Sequence, residues 1–244
     1  MESAALLEPL SVAIHATRRA HIEQGDTAIV FGAGTVGLLT AAMAKVSGAT
    51  TVVIADIDYG RINYALANGF AHKGYIVTPR NGATDTGSQF DEAKELAADV
   101  MQIASLNDPD FEGADVTFDC TGKEICMQAG LYVSFEEHIF ESETDRQQAT
   151  RPGGQLVMVG MGTPIQTLPM SASHLKEVDI IGIFRYANTY PTGIKLISSG
   201  VLPDLDAMVT HRYHGLGQVK EAFELAGKTL DKDGNLVLKV LVEM

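Results

Sequence analysis

The chain has 244 residues and a formal net charge of −13, with 31 acidic against 18 basic side chains. That balance, without a Lys/Arg cluster, excludes a phosphate-tracking stripe and argues against a nucleic-acid partner. A hydrophobic content of 45% is ordinary for a chain that buries a full core. No apolar run is long enough to cross a bilayer, and the opening MESAALLEPL lacks the basic segment of a secretory signal. Two cysteines, Cys120 and Cys126, make neither a disulfide framework nor a four-thiolate zinc site. The expectation is a cytoplasmic protein with no membrane partner.

In chain order, residues 2–20 carry Ala, Leu, Ile and Val at helical spacing, interrupted by Pro9. This predicts a short turn followed by a helix over 11–19. Glu8 stands among Leu6, Leu7 and Leu10, an unusual place for an acid unless a helix start favours it. Residues 24–26 turn the chain into TAIVF, an apolar β-branched run that reads as a buried parallel strand. Gly32-Ala33-Gly34-Thr35-Val36-Gly37 follows, then an Ala-, Leu- and Met-rich helix to about Val46. Gly48 breaks that helix, and a second apolar run over 51–55 ends on Asp56.

Each of these residue types has a mechanical reason. Gly32 permits the tight strand-to-helix turn, Gly34 lets a pyrophosphate approach the backbone, and Gly37 lets helix and strand pack closely. The helix start offers free N–H groups and the positive end of its dipole. Asp56, about 20 residues after the glycines, stands where an acid accepts hydrogen bonds from an adenosine ribose, which favours NAD over NADP.

Arg61 opens a second crossover helix that Asn68-Gly69 stops. It lies over an adenine or pairs with a surface acid. A third strand is expected over 75–77, a loop over 79–91, and a helix over 92–104. The fourth strand, 115–119, runs into Cys120-Thr121-Gly122. The fifth, 155–159, ends on Val159 and runs into Gly160-Met161-Gly162, and the sixth covers 178–184. Loops at the carboxyl ends of such strands hold ligands. The alternation of strands and helices predicts an α/β doubly wound parallel sheet of the Rossmann type. The acidic stretch 133–148 reads as an inserted surface segment, a lid or partner contact being the alternative. A helix from Tyr190-Pro191 to Ser198, an extended piece at 211–214, an amphipathic helix over 217–226 and a strand over 235–243 complete the chain. No earlier strand is left to pair with that last one.

Taken together the motifs resemble the zinc-containing medium-chain alcohol/polyol dehydrogenase family, of the sorbitol, xylitol and arabinitol dehydrogenase kind. The matching stretches are LEPLSVAIHA, VFGAGTVGLLT, Asp119-Cys120-Thr121-Gly122, Arg151-Pro152-Gly153-Gly154, Gly160-Met161-Gly162, EVDIIGIFRYANTYP and Val209-Thr210-His211-Arg212. The resemblance implies hydride transfer between NAD and a secondary alcohol or polyol, with a zinc ion holding the alkoxide. It places Glu8 beside or on the metal. It places Phe184, Arg185 and Tyr186 near the nicotinamide, with Arg185 orienting Glu8 or a substrate hydroxyl, or forming an ordinary ion pair. It also implies a homo-oligomer through the edge of the sixth strand, residues 180–184, with 164–168 nearby.

The departure from the family is as informative. There, roughly the first 140–150 residues form a separate catalytic domain that supplies the zinc Cys, the His-Glu pair and the proton relay. Here the seven histidines are scattered without a zinc pattern. The expectation is therefore no metal site built by this chain alone, with Glu8 one possible zinc-side group. Residues 1–23 and 201–244 are expected to belong with the missing domain, around a cofactor-binding unit over 24–200. Three functions compete: a shortened dehydrogenase, an NAD-binding protein without catalysis, and a non-redox catalyst reusing the cofactor crevice.

Overall fold

A computed structural model describes residues 2–79, 85–106, 111, 113–132 and 150–243. Six parallel strands form its centre: β1 (Thr27–Phe31), β2 (Thr51–Asp56), β3 (Lys73–Ile76), β4 (Ala114–Asp119), β5 (Thr150–Met158) and β6 (Asp179–Gly182). Their spatial order is β3-β2-β1-β4-β5-β6. The chain winds outward from β1 in one direction to β3, then returns past β1 to β4 and winds the other way. That reversal opens a crevice between β1 and β4 at their carboxyl ends.

The near-continuous apolar strands follow from burial on both faces. Ala28 and Val30 of β1 pack with α1 (Leu7–Arg19) and α2 (Thr35–Ser47), through Leu10, Ile14, Leu38 and Leu39. Ile29 and Phe31 point the other way, into a core shared with α4 (Thr86–Ala104) and α5 (Glu124–Leu131). α3 (Tyr59–Ala67) joins the first core through Ile62 and Ala65. The remaining helices are α6 (Met170–Leu175), α7 (Tyr190–Ser199) and α8 (Val219–Ala226).

Several sequence expectations change. Pro9 does not delay the first helix: a 3-10 turn over Glu2–Leu6 leads directly into α1, and Pro9 sits in its first turn, where a missing N–H breaks no helical bond. The expected loop over 79–91 is shorter, because Asp85 accepts from the amides of Gly87 and Ser88 and starts α4 at Thr86. The last strand does have a partner. β7 (Val209–His214), the extended piece around His211, pairs in parallel with β8 (Lys239–Glu243) in a separate two-stranded sheet. The inserted stretch at 133–148 lies outside the described residues.

Candidate functional site

The glycine turn connects β1 to α2 at the strand-order reversal. Gly32 has φ +98°, and its amide donates to the Ala55 carbonyl over 2.7 Å, tying the turn to the end of β2. A Cβ on Gly37 would lie 1.8 Å from the Gly32 carbonyl oxygen, so helix and turn touch with no room for a side chain. Gly34 is different. A Cβ there would meet only the Arg61 guanidinium, 3.9 Å away. It caps α2, whose first amides have no partner within the helix and face outward with the positive end of the dipole.

Asp56 ends β2 with both carboxylate oxygens engaged. Oδ2 accepts the Ala33 amide over 2.6 Å and Oδ1 accepts the Asp58 amide over 2.9 Å. The acid is thus fixed against the glycine turn, and each oxygen keeps a lone pair for a further donor. Asp58 caps α3 by accepting from the Arg61 amide. The Arg61 side chain forms part of the crevice wall, and its buried Nε has no hydrogen-bond partner. Of the two roles expected for Arg61, pairing with a surface acid is not realised among the described residues.

On the other side of the crevice, buried Asp119 organises the loop after β4. Its carboxylate accepts from the Thr121 amide and hydroxyl and from the Gly122 amide. Burial raises its pKa, and the bonds from Thr121 and Gly122 oppose that rise. The loop after β5 lies against this one: the amides of Val159 and Gly160 both donate to the Asp119 carbonyl. A Cβ on Gly160 would come within 2.2 Å of the Gly122 amide. Cys120 and Cys126 line the crevice, and burial pushes both thiols up to about 12.

The crevice has a volume of about 530 Å³. Gly32, Gly34, Asp56, Arg61, Cys120 and Thr121 line it, so the structure brings together these six of the cofactor-side residues expected from the sequence, while Thr35, Val36, Gly37, Gly122, Val159, Gly160, Met161, Phe184 and Arg185 are not in its lining. Tyr75, Leu96, Asp99, Ile125 and Thr229 also line it and had not been singled out. Tyr75 donates to Asp99 over 2.6 Å. Thr229 belongs to a hairpin held by the Val237 amide donating to the Thr229 carbonyl. That hairpin reaches α2, where the Thr35 hydroxyl donates to the Leu238 carbonyl. Nothing in the sequence around Thr229 signals this placement.

The proposed catalytic residues lie elsewhere. Glu8 is exposed in the first turn of α1, and Arg185 is exposed after β6 with φ +52°. The Arg185 guanidinium lies 5.5 Å from the Phe184 ring centre, and among the described residues it makes no ion pair with Glu8. Met161 and Phe184 are 94% and 79% exposed, so neither is part of the closed wall. The described residues do not fit a zinc site. No three His, Cys, Asp or Glu side chains among them converge, and thiols held at about 12 are poor sources of the thiolate a metal needs.

A parallel sheet in this order, with a glycine turn at its reversal point and an acid closing β2, defines a Rossmann-type α/β protein. No family model matches the chain. It is 35% identical over 239 residues to human sorbitol dehydrogenase, covering 94% of this chain and 54% of that protein. It is 32% identical over 246 residues to sorbitol dehydrogenase of Arabidopsis thaliana, covering 100% and 57%. Among solved structures, L-idonate 5-dehydrogenase from Escherichia coli superposes with a TM-score of 0.69 at 25% identity, covering 98% of this chain and 56% of that one. Over nearly its whole length the chain is similar to sorbitol dehydrogenases, and it spans about half the length of the curated relatives it matches.

Proposed function

We propose that the chain binds NAD in the crevice between β1 and β4 and acts as an oxidoreductase, transferring hydride between NAD and a secondary alcohol or polyol. The observation that carries this is the alignment of Gly34, Asp56 and Arg61 along one wall. An open glycine at a helix start, a fixed acid and a cation with an unpartnered donor suit a diphosphate joined to a ribose. The amides of Thr35, Val36 and Gly37 receive the diphosphate, and Asp56 accepts from the ribose hydroxyls. Cys120, Thr121 and Gly122 form the facing wall. Val159, Gly160, Met161, Phe184 and Arg185 stand toward the nicotinamide end.

NAD, when bound, supplies the hydride acceptor. The chain's own part is to hold the dinucleotide and, through Glu8 and Arg185, to meet the alcohol. Because the described residues assemble no metal site, no step is assigned to zinc. Residues 1–23 and 201–244 are proposed to accompany a catalytic domain of the kind the family carries, around the unit over 24–200. The outer side of β6 is proposed as a homo-oligomer edge, and the cytoplasm as the compartment.

The test is oxidation of a panel of polyols and secondary alcohols by the purified protein with NAD, followed as NADH appears. Turnover supports the oxidoreductase reading. Saturable NAD binding without turnover supports the second reading, a dinucleotide-binding protein without catalysis. A reaction indifferent to added NAD points to a non-redox use of the crevice.

A further inference from the structure

We propose that residues 229–236 form a strap over the crevice, whose opening sets how fast a dinucleotide enters and leaves. The inference rests on the crevice being a dinucleotide site. It concerns the rates at that site, not which ligand the site takes.

The strap comes from a part of the chain remote from the central sheet. It leaves α8 at Gly227 and folds back, with the Val237 amide donating to the Thr229 carbonyl and Leu230 bridging Leu236 in antiparallel fashion. Thr229 thereby lines the crevice together with Gly32 and Gly34. Leu236 reaches the second helix beside the crevice: a Cβ on Gly60, in the first turn of α3, would lie 3.5 Å from its Cδ1. At the strap's base the Thr35 hydroxyl donates to the Leu238 carbonyl, so the chain also touches the start of α2. A diphosphate seated against the first amides of α2 then lies between the sheet and the strap, and its way in or out passes the strap.

The fastenings are few. Asp231 Oδ2 pairs with His211 Nε2 of β7 over 3.2 Å, both side chains largely sheltered from water. Leu236 adds its apolar contact with α3. The other bonds of Asp231, from the amides of Asp233 and Asn235 and the side chain of Asn235, stay within the strap and shape its turn. Residues 232–235 are exposed. A hairpin of two short strands is marginal by itself, and a segment held by so few contacts opens at low cost in free energy. The base is firmer, since Val237 is buried and the Leu238 amide donates to the Thr210 hydroxyl. The motion is therefore a swing of 229–236 about its ends at Gly227 and Val237. Every fastening joins one protein group to another, so the strap closes over the empty and the occupied crevice alike. A gate of that kind slows entry and exit by the same factor and leaves affinity unchanged, because it does not distinguish the two states.

The test is stopped-flow mixing of the full chain with NADH, followed by its fluorescence, with release measured by a chase of excess NAD. The proteins are the wild type, His211→Ala and Leu236→Ala, with thermal melts to check folding. His211→Ala cuts the clasp but keeps the strap's own turn. It is expected to raise the association and release rate constants together, each about fivefold, the change that loss of one bond of ordinary net strength gives. Kd should stay within about twofold of the wild type. Leu236→Ala loosens the strap from the α3 side and should move both rates the same way, so it carries the test if His211→Ala is unstable. Faster release with unchanged association would make the strap a ligand contact and overturn the inference. So would unchanged rates in both variants. A folded wild type that does not bind NADH overturns the reading of the crevice itself.

Discussion

The Thr35 hydroxyl donates to the Leu238 carbonyl over 3.0 Å, joining the first residue of α2 to a segment 203 positions later. The same segment is held from below, where the Leu238 amide donates to the Thr210 hydroxyl over 3.1 Å. Its tip is pinned by Asp231, which accepts from the Asn235 amide and side chain and pairs with His211. Those bonds, Asn235 first, hold the Asp231 carboxyl well below its usual range. The helix start that faces the crevice thus forms one unit with the β7–β8 sheet. Thr35→Val should cost about 1 kcal/mol, the net worth of a typical hydrogen bond. It should also speed hydrogen exchange at Val237 and Leu238. Unchanged exchange there would show that the hairpin stands without Thr35.

The two neighbouring glycines should respond oppositely to alanine. Gly37→Ala places a methyl 1.8 Å from the Gly32 carbonyl and must push helix from turn, so the expected loss is several kcal/mol, on the order of 3 or more. Gly34 has extended backbone angles that alanine adopts, and only Arg61 lies near. Gly34→Ala should melt within about 0.5 kcal/mol of the wild type yet bind NADH more weakly, because the methyl occupies the diphosphate's approach. Melting and NADH titration of both variants check this. Equal destabilisation would contradict it.

The contrast also shows what was legible in the sequence. The run from Thr27 to Asp56 announces its own structure because strand, turn and helix are local and each residue type has a local cause. Helix α5 was missed because it is eight residues long, contains Gly130 and has no side-chain cap at Lys123. The start of α4 was hidden in a polar stretch whose cap, Asp85 with Ser88, became visible only as hydrogen bonds. The partner of β8 was missed because β7 reads Val-Thr-His-Arg-Tyr-His, a half-wet strand whose pairing is set by tertiary contact rather than by pattern. At the site, Gly34, Asp56 and Arg61 were readable from spacing. Thr229, Tyr75 and Asp99 were not, since distant segments bring them to the crevice.

The two cysteines give a chemical test of the crevice. Burial pushes both thiols up to about 12, so at pH 8 almost none is thiolate. Iodoacetamide should react far more slowly with the native protein than with protein in urea. Equal rates would show that the wall around Cys120 and Cys126 is open.

His72 should make the fold sensitive to mild acid. The Val52 amide donates to its Nδ1 over 2.9 Å, a bond only the unprotonated nitrogen accepts. Burial first, then the Lys45 and Lys73 charges, lower its pKa from the ordinary 6.5. The folded state therefore holds fewer protons on this group than the unfolded state. Its contribution is fully present above 6.5 and is lost as pH falls through the lowered folded value. His72→Asn, which keeps an acceptor but does not titrate, should flatten that part of the pH dependence in urea unfolding. An unchanged profile would contradict it.

The most direct measurement is a titration of NADH into the wild-type protein and into Asp56→Ala. Saturable binding by the wild type that weakens on loss of the Asp56 carboxylate is the predicted result. The same affinity in both proteins, or no binding to a folded wild type, would contradict the placement of a dinucleotide against this glycine turn.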